Sequence, residues 1–156
     1  MDTFTLVHVV LSLIGIGSGL VVLYGMLRNK RMNSGTALFL TTTVLTSVTG
    51  FFFRVEKLLP SQVVGIISLV VLAVALVARY VRNMSGSWRA AYIITASIAL
   101  YLNVFVLIVQ LFRKVPALKA LAPTQSEPPF AITQVVVMII FIVLTIFAVK
   151  KFHPAA

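Results

Sequence analysis

The chain has 156 residues, 60% of them hydrophobic and only 10% charged, with 13 Lys and Arg against 3 Asp and Glu for a net charge of +10. A water-soluble domain carries about a quarter charged residues, so a mean hydropathy of +1.10 excludes an ordinary soluble fold. Cysteine is absent, which excludes disulfides, thiolate metal centres and cysteine nucleophiles.

Five apolar runs follow one another: Phe4–Leu27, Thr36–Phe53, Val63–Val81, Ala90–Phe112 and Ala131–Val149. Each is long enough to cross a bilayer as a helix. They predict an all-α polytopic transmembrane bundle of five spans, a single domain over residues 1–156. The first run is not read as a signal peptide. Its leading residues Met1, Asp2 and Thr3 carry no positive charge, and no A-x-A site follows.

The first run carries a narrow stripe at spacings of 4, 3 and 4: His8, Ser12, Gly15 and Gly19. Small residues at such spacing let two helix backbones approach closely. The stripe reads as a packing seam within the bundle or as the seam of a homo-oligomer. His8 falls about one turn inside the outer end. A packing or headgroup contact is the plain reading, and haem or metal ligation the alternative, since imidazole is a common axial ligand. A bis-histidine haem within one chain fails. The only other histidine, His153, lies beyond the opposite end of the last run, about a 30 Å bilayer thickness away. A hard-metal reading would group His8 with Glu56, Glu127 and Asp2 at the outer mouth.

The second run is apolar yet rich in hydroxyls. At 100° per residue, Thr42, Thr43, Thr46, Ser47 and Thr49, with Gly50, fall in one arc a little under half the circumference. Hydrocarbon offers no hydrogen-bond partners, so this face is expected to turn toward other helices or a cavity. Its hydroxyl content also admits a re-entrant segment over Gly35–Phe53 and only four spans.

The third run aligns Ser61, Gly65, Ser68, Leu72, Ala75 and Arg79. Gly65 and Ser68 read as packing positions, and Arg79 and Arg82 as snorkelling side chains at the end of the span. The fourth run aligns Tyr92, Ala96, Ala99, Asn103 and Gln110. Asn103 falls near the bilayer centre, where an amide must find a partner, and the threonine face is the obvious one. Facing Asn103 and Gln110, that face would also suit a channel or facilitator for a small neutral solute or an ion. The last run aligns Gln134, Met138, Phe141, Thr145 and Ala148. Before it, the connection Arg113–Phe130 holds two amphipathic turns over Val115–Ala122. Pro123, Pro128 and Pro129 then forbid regular helix.

Arg28, Lys30, Arg31, Arg79, Arg82, Arg89, Lys150 and Lys151 fall on one side of the five-span arrangement. Arg54, Lys57, Arg113, Lys114, Lys119 and all three acids fall on the other. The richer side is expected to be cytoplasmic, with the N-terminus outside and the C-terminus cytoplasmic. These clusters lie between apolar runs, so the expected partner is anionic lipid headgroups rather than nucleic acid.

The stretches LSLIGIGSGLVVLYG, TALFLTTTVLTSVTGFFF, VVGIISLVVLAVALVARY, ALYLNVFVLIVQ and KVPALKALAPTQSEPPF resemble a group of small bacterial inner-membrane proteins to which no activity is assigned. The resemblance implies a multi-pass protein of the bacterial inner membrane and carries no catalytic residue or ligand with it.

No Asp or Glu lies inside a run, and no Ser-His-Asp set, H-E-x-x-H, G-x-S-x-G, P-loop or paired carboxylate occurs. An enzyme is therefore not expected, and neither is a proton-coupled transporter with an ionisable group at membrane depth. The reading favoured by the sequence is a non-catalytic membrane module that assembles with, or binds, a lipophilic ligand or partner helix.

Overall fold

The computed structural model describes residues 2–52 and 60–154, and no strand occurs among them. The order is α1 (Thr3–Leu27), α2 (Asn33–Gly50), α3 (Pro60–Leu76) continued by one π turn (Val77–Val81), α4 (Trp88–Lys114), a short α5 (Pro116–Leu121) and α6 (Pro128–Lys151). Among the described residues four helices are long and apolar enough to cross a membrane: Thr3–Leu27, Gln62–Val81, Trp88–Lys114 and Pro128–Lys151. The outer surface is what such a setting requires. Leu13, Val70, Ile132 and Ile139 are among many large apolar side chains that point away from the protein.

Local chemistry sets the helix ends. The Asp2 carboxylate accepts the Thr5 N–H at 2.7 Å and caps α1. Val115 is extended, as a residue before proline tends to be; α4 stops there and Pro116 opens α5. Pro128 and Pro129 do not hold off the last helix, as the sequence reading had it. They occupy its first turn, where the missing N–H groups would have no helical partner anyway. The second helix is shifted against its apolar run. It starts at Asn33 and ends at Gly50, because the polar Asn33-Ser34-Gly35 forms its first turn while Phe51 and Phe52 lie in the turn that follows.

The most extensive interface joins α1 to α2, and the next joins α3 to α4. The main core gathers Leu23, Met26, Phe39, Leu40, Leu72, Tyr92, Ile93, Leu100 and Phe152. A smaller cluster of Ile108, Phe112 and Ala122 closes the other end of α4. Helix α6 docks through few positions: Gln134, Phe141 and Ala148 are buried and most of the rest is exposed.

Candidate functional site

Two polar regions and one apolar groove interrupt the packed bundle. The first lies where α1, α2 and α4 meet. Thr42, Thr43, Thr46 and Ser47 are buried. Thr42 donates to Leu38 O, Thr46 to Thr42 O and Thr49 to Leu45 O, each at 2.7 Å. Those protons are thus committed within α2 itself. Two side chains of neighbouring helices meet the same face, at Thr43 and Thr49. Asn103 Nδ2 donates to Thr43 Oγ1 at 3.4 Å. His8 Nδ1 and Thr49 Oγ1 are 2.7 Å apart. The two share one hydrogen bond, whose direction follows the histidine tautomer.

Glycines make this approach possible. A Cβ on Gly15 would lie 3.1 Å from Thr43 Oγ1, 3.3 Å from Thr42 Oγ1 and 3.6 Å from Asn103 Nδ2. A Cβ on Gly19 would lie 2.6 Å from Leu100 Cδ1 and 2.8 Å from the Phe39 ring. Phe39 and Leu100 are each 1% exposed, so this layer is filled and the hydroxyl face is closed below it. Gly15 and Gly19 are themselves buried. They are occupied from within the chain, which leaves them no surface for a second copy.

The remaining seam and site residues are placed as follows. Ser12 is half-buried and donates to Val9 O at 2.8 Å. Gly65 faces Phe51, whose Cζ would be 3.1 Å from an added Cβ. Ser68 is buried. Gln110 is half-buried, and among the described residues no hydrogen bond joins it to the α2 face. Glu127 stands at the start of α6, bound to Thr124 and Ser126 rather than to a histidine. Glu56 lies outside the described residues. Among those residues no three His, Asp or Glu side chains converge as a metal site would need.

The second polar region was missed by the snorkelling expectation for Arg79. That side chain turns inward from the π turn and is 3% exposed. Its Nη2 donates to Asn33 Oδ1 at 2.8 Å and to Arg31 O at 3.2 Å. The guanidinium lies 5.1 Å from the Tyr92 ring centre and 5.9 Å from that of Tyr80. Its Nη1 and the Tyr92 hydroxyl are both buried with no hydrogen bond of good geometry, although the hydroxyl is within reach of Arg79 and Thr36. The physical reason is packing. The small stripe Ser68, Leu72, Ala75 is the buried face of α3, and Arg79 continues that line. Beside it, Arg89 Nη1 donates to Val149 O at 2.7 Å and Phe152 O at 2.8 Å, capping the last turn of α6. The His153 N–H donates to Asn29 Oδ1 at 2.8 Å.

The third region is a groove of about 250 Å³ between α4 and α6. Ile94, Ile98 and Tyr101 line one wall and Met138, Ile142 and Ile146 the other. Ser97 and Phe141 also line it and are both largely buried. The neighbouring Thr95 donates to Ala91 O at 2.7 Å, whereas the Ser97 hydroxyl has no partner. Met138, Phe141 and Thr145 of the stripe on the last run fall in this groove, but the stripe does not mark it as open. The opening follows from the narrow contact of α6.

Comparisons with known protein families, with curated proteins and with solved structures found no match.

Proposed function

We propose that the chain is a non-catalytic, multi-pass module of a bacterial inner membrane that holds a lipid-soluble molecule in the groove between α4 and α6. In this reading α2 crosses with the four longer helices, giving five spans. The basic end faces the cytoplasm and anionic headgroups, and the N-terminus faces out. The occupant has an elongated apolar body and one hydrogen-bond acceptor. The observation that carries the reading is the pairing of an apolar groove with one buried, unpartnered hydroxyl among its lining residues. The groove follows residues 94–101 and 138–146, roughly 10–12 Å along the helix axes at 1.5 Å per residue. Ser97 Oγ supplies the donor. The α2 face supports this assignment by default: its threonines bind their own backbone, Asn103 and His8, and Phe39 and Leu100 fill the layer beneath.

The test uses the full chain in nanodiscs and a photoreactive probe with a long alkyl chain and one carbonyl. Cross-links are expected at residues 94–101 and 138–146. Ile142→Trp, which fills the groove, should suppress them several-fold. Ile139→Trp, on an exposed part of α6 that does not line the groove, should not. Labelling spread evenly over the lipid-facing side of α6 and indifferent to Ile142→Trp would remove the reading. A reporter at the C-terminus checks the span count separately, since five spans place it opposite the N-terminus.

A further inference from the structure

Among the described residues, the basic end of the bundle holds a cation without a counter-charge. Arg79 is a permanent cation and is almost completely buried. Its hydrogen-bond acceptors are neutral: one backbone carbonyl and one amide oxygen. Asp2 and Glu127 stand at the starts of α1 and α6, at the opposite end. Desolvating a charge without an opposite one is costly, which is why buried cations are normally paired.

Three further features converge on the same place. The Tyr92 hydroxyl is within hydrogen-bonding reach of Thr36 and Arg79 but meets neither in good geometry, and Arg79 Nη1 likewise has no well-formed partner. Helix α2 begins here. Its N-cap Met32 supplies no side-chain cap, so the first amides of an 18-residue helix point out with the positive end of its dipole. The connection that covers the site is held in an uncommon backbone. Asn29 and Met32 both have positive φ, at 54° and 46°.

We propose that Arg79, Tyr92 and the N-terminal amides of α2 form a binding site for one phosphate group. The guanidinium fork matches phosphate geometry, and a helix N-terminus is a ready anion cradle. In the observed state Asn33 Oδ1 and Arg31 O stand in for the anion. Asn33 is exposed, and its Oδ1 is the atom that an anion would displace. Arg79 lies two residues before the end of the Gln62–Val81 span, which is headgroup depth, so a phospholipid phosphate is the nearest source and a soluble phosphate the other. The inference sharpens the general attraction of the basic end for anionic lipid into a single site. It does not depend on the groove.

The experiment compares thermal unfolding in nanodiscs of phosphatidylcholine, of phosphatidylcholine with phosphatidylglycerol, and of phosphatidylcholine with millimolar inorganic phosphate. Phosphatidylglycerol should raise the midpoint of the native chain by on the order of 5 °C. Arg79→Gln should lose most of that gain. Arg28→Gln removes the same charge from an exposed position and should retain most of it. A gain with inorganic phosphate alone identifies a soluble source, and a gain with the lipid alone identifies the headgroup. No gain in either arm, or equal losses in Arg79→Gln and Arg28→Gln, overturns the site. Should Arg79→Gln fail to fold, Tyr92→Phe keeps the ring and removes one donor. It must lower the gain relative to the native chain, and an undiminished gain overturns the site equally.

Discussion

The clasp around Thr43 and the cluster around Arg79 both bury polar atoms in an apolar bundle, yet they solve the problem differently. In the clasp, three threonines bond back to their own helix, Asn103 donates to Thr43, and His8 shares a hydrogen bond with Thr49. Glycines bring the helices close enough for this. At the basic end, packing is just as tight around Thr36, Tyr92 and Ala78, but a guanidinium nitrogen and a phenol are left unmet. Polarity that is answered locally holds helices together. Polarity left unanswered inside a well-packed region indicates that something beyond packing keeps it there.

The sharpest way to break the comparison is to spoil the close approach on which the clasp depends. Gly19→Ala places a methyl against Leu100 and Phe39, which are buried and have little room to yield. Overpacking of this kind costs about 1–3 kcal/mol. Gly17→Ala, two residues away, meets nothing within 4 Å and should stay within about 0.5 kcal/mol of the native chain. Reversible unfolding in mixed micelles measures both. Equal stabilities for the two variants would show that α1 and α2 are not held at this distance.

A smaller effect separates the donors from the hydroxyls. Asn103→Leu should cost about 0.6 kcal/mol, the usual size of an interhelical hydrogen bond in a membrane, and no more, because its bond is long at 3.4 Å. Thr46→Val should fall below about 0.5 kcal/mol, since its proton serves only Thr42 O. A Thr46→Val loss larger than that of Asn103→Leu would reverse the roles assigned to the two helices.

How much of this was legible in the sequence depends on the kind of feature. Apolar runs located every long helix, because burying backbone in hydrocarbon demands helix whatever the side chains are. The stripes also marked the buried faces: Gly15 and Gly19 on α1, and the line from Ser68 to Ala75 on α3. Arg79 ends that line and Tyr92 opens the line of α4, so both stripes pointed to one spot at the same end of the bundle. The expectation of snorkelling ignored the stripe and used only the distance to the membrane edge. Arg89 was counted only for its charge. Its role in capping α6 needs the C-terminus of that helix to land beside it, which no local pattern encodes. The α6 wall of the groove was half-visible, since Met138, Phe141 and Thr145 share one stripe, but that the stripe stays partly uncovered depends on how α6 meets α4.

The opposite end of the molecule supplies the last contrast, a charge that is fully answered. The Thr124 hydroxyl donates to Glu127 Oε1 at 2.6 Å, and the Thr124 and Ser126 amides donate to the same carboxylate. Chiefly the Thr124 hydroxyl, with these amides, holds the Glu127 carboxyl below its ordinary value. A carboxyl lowered in the folded state contributes order that is complete above the ordinary carboxylate range and is lost as pH falls through the lowered value. Amide protection at Thr124 and Ser126, referred to the intrinsic exchange rate and followed on acidification to about pH 3, should therefore fall as pH drops below the ordinary carboxylate range. Glu127→Gln should show reduced protection at both limits and no such transition. The Asn103–Thr43 contact contains no titratable group and should be indifferent over the same range. Protection at Thr124 that stays constant down to pH 3 would mean that the turn is held by its prolines and not by the carboxylate.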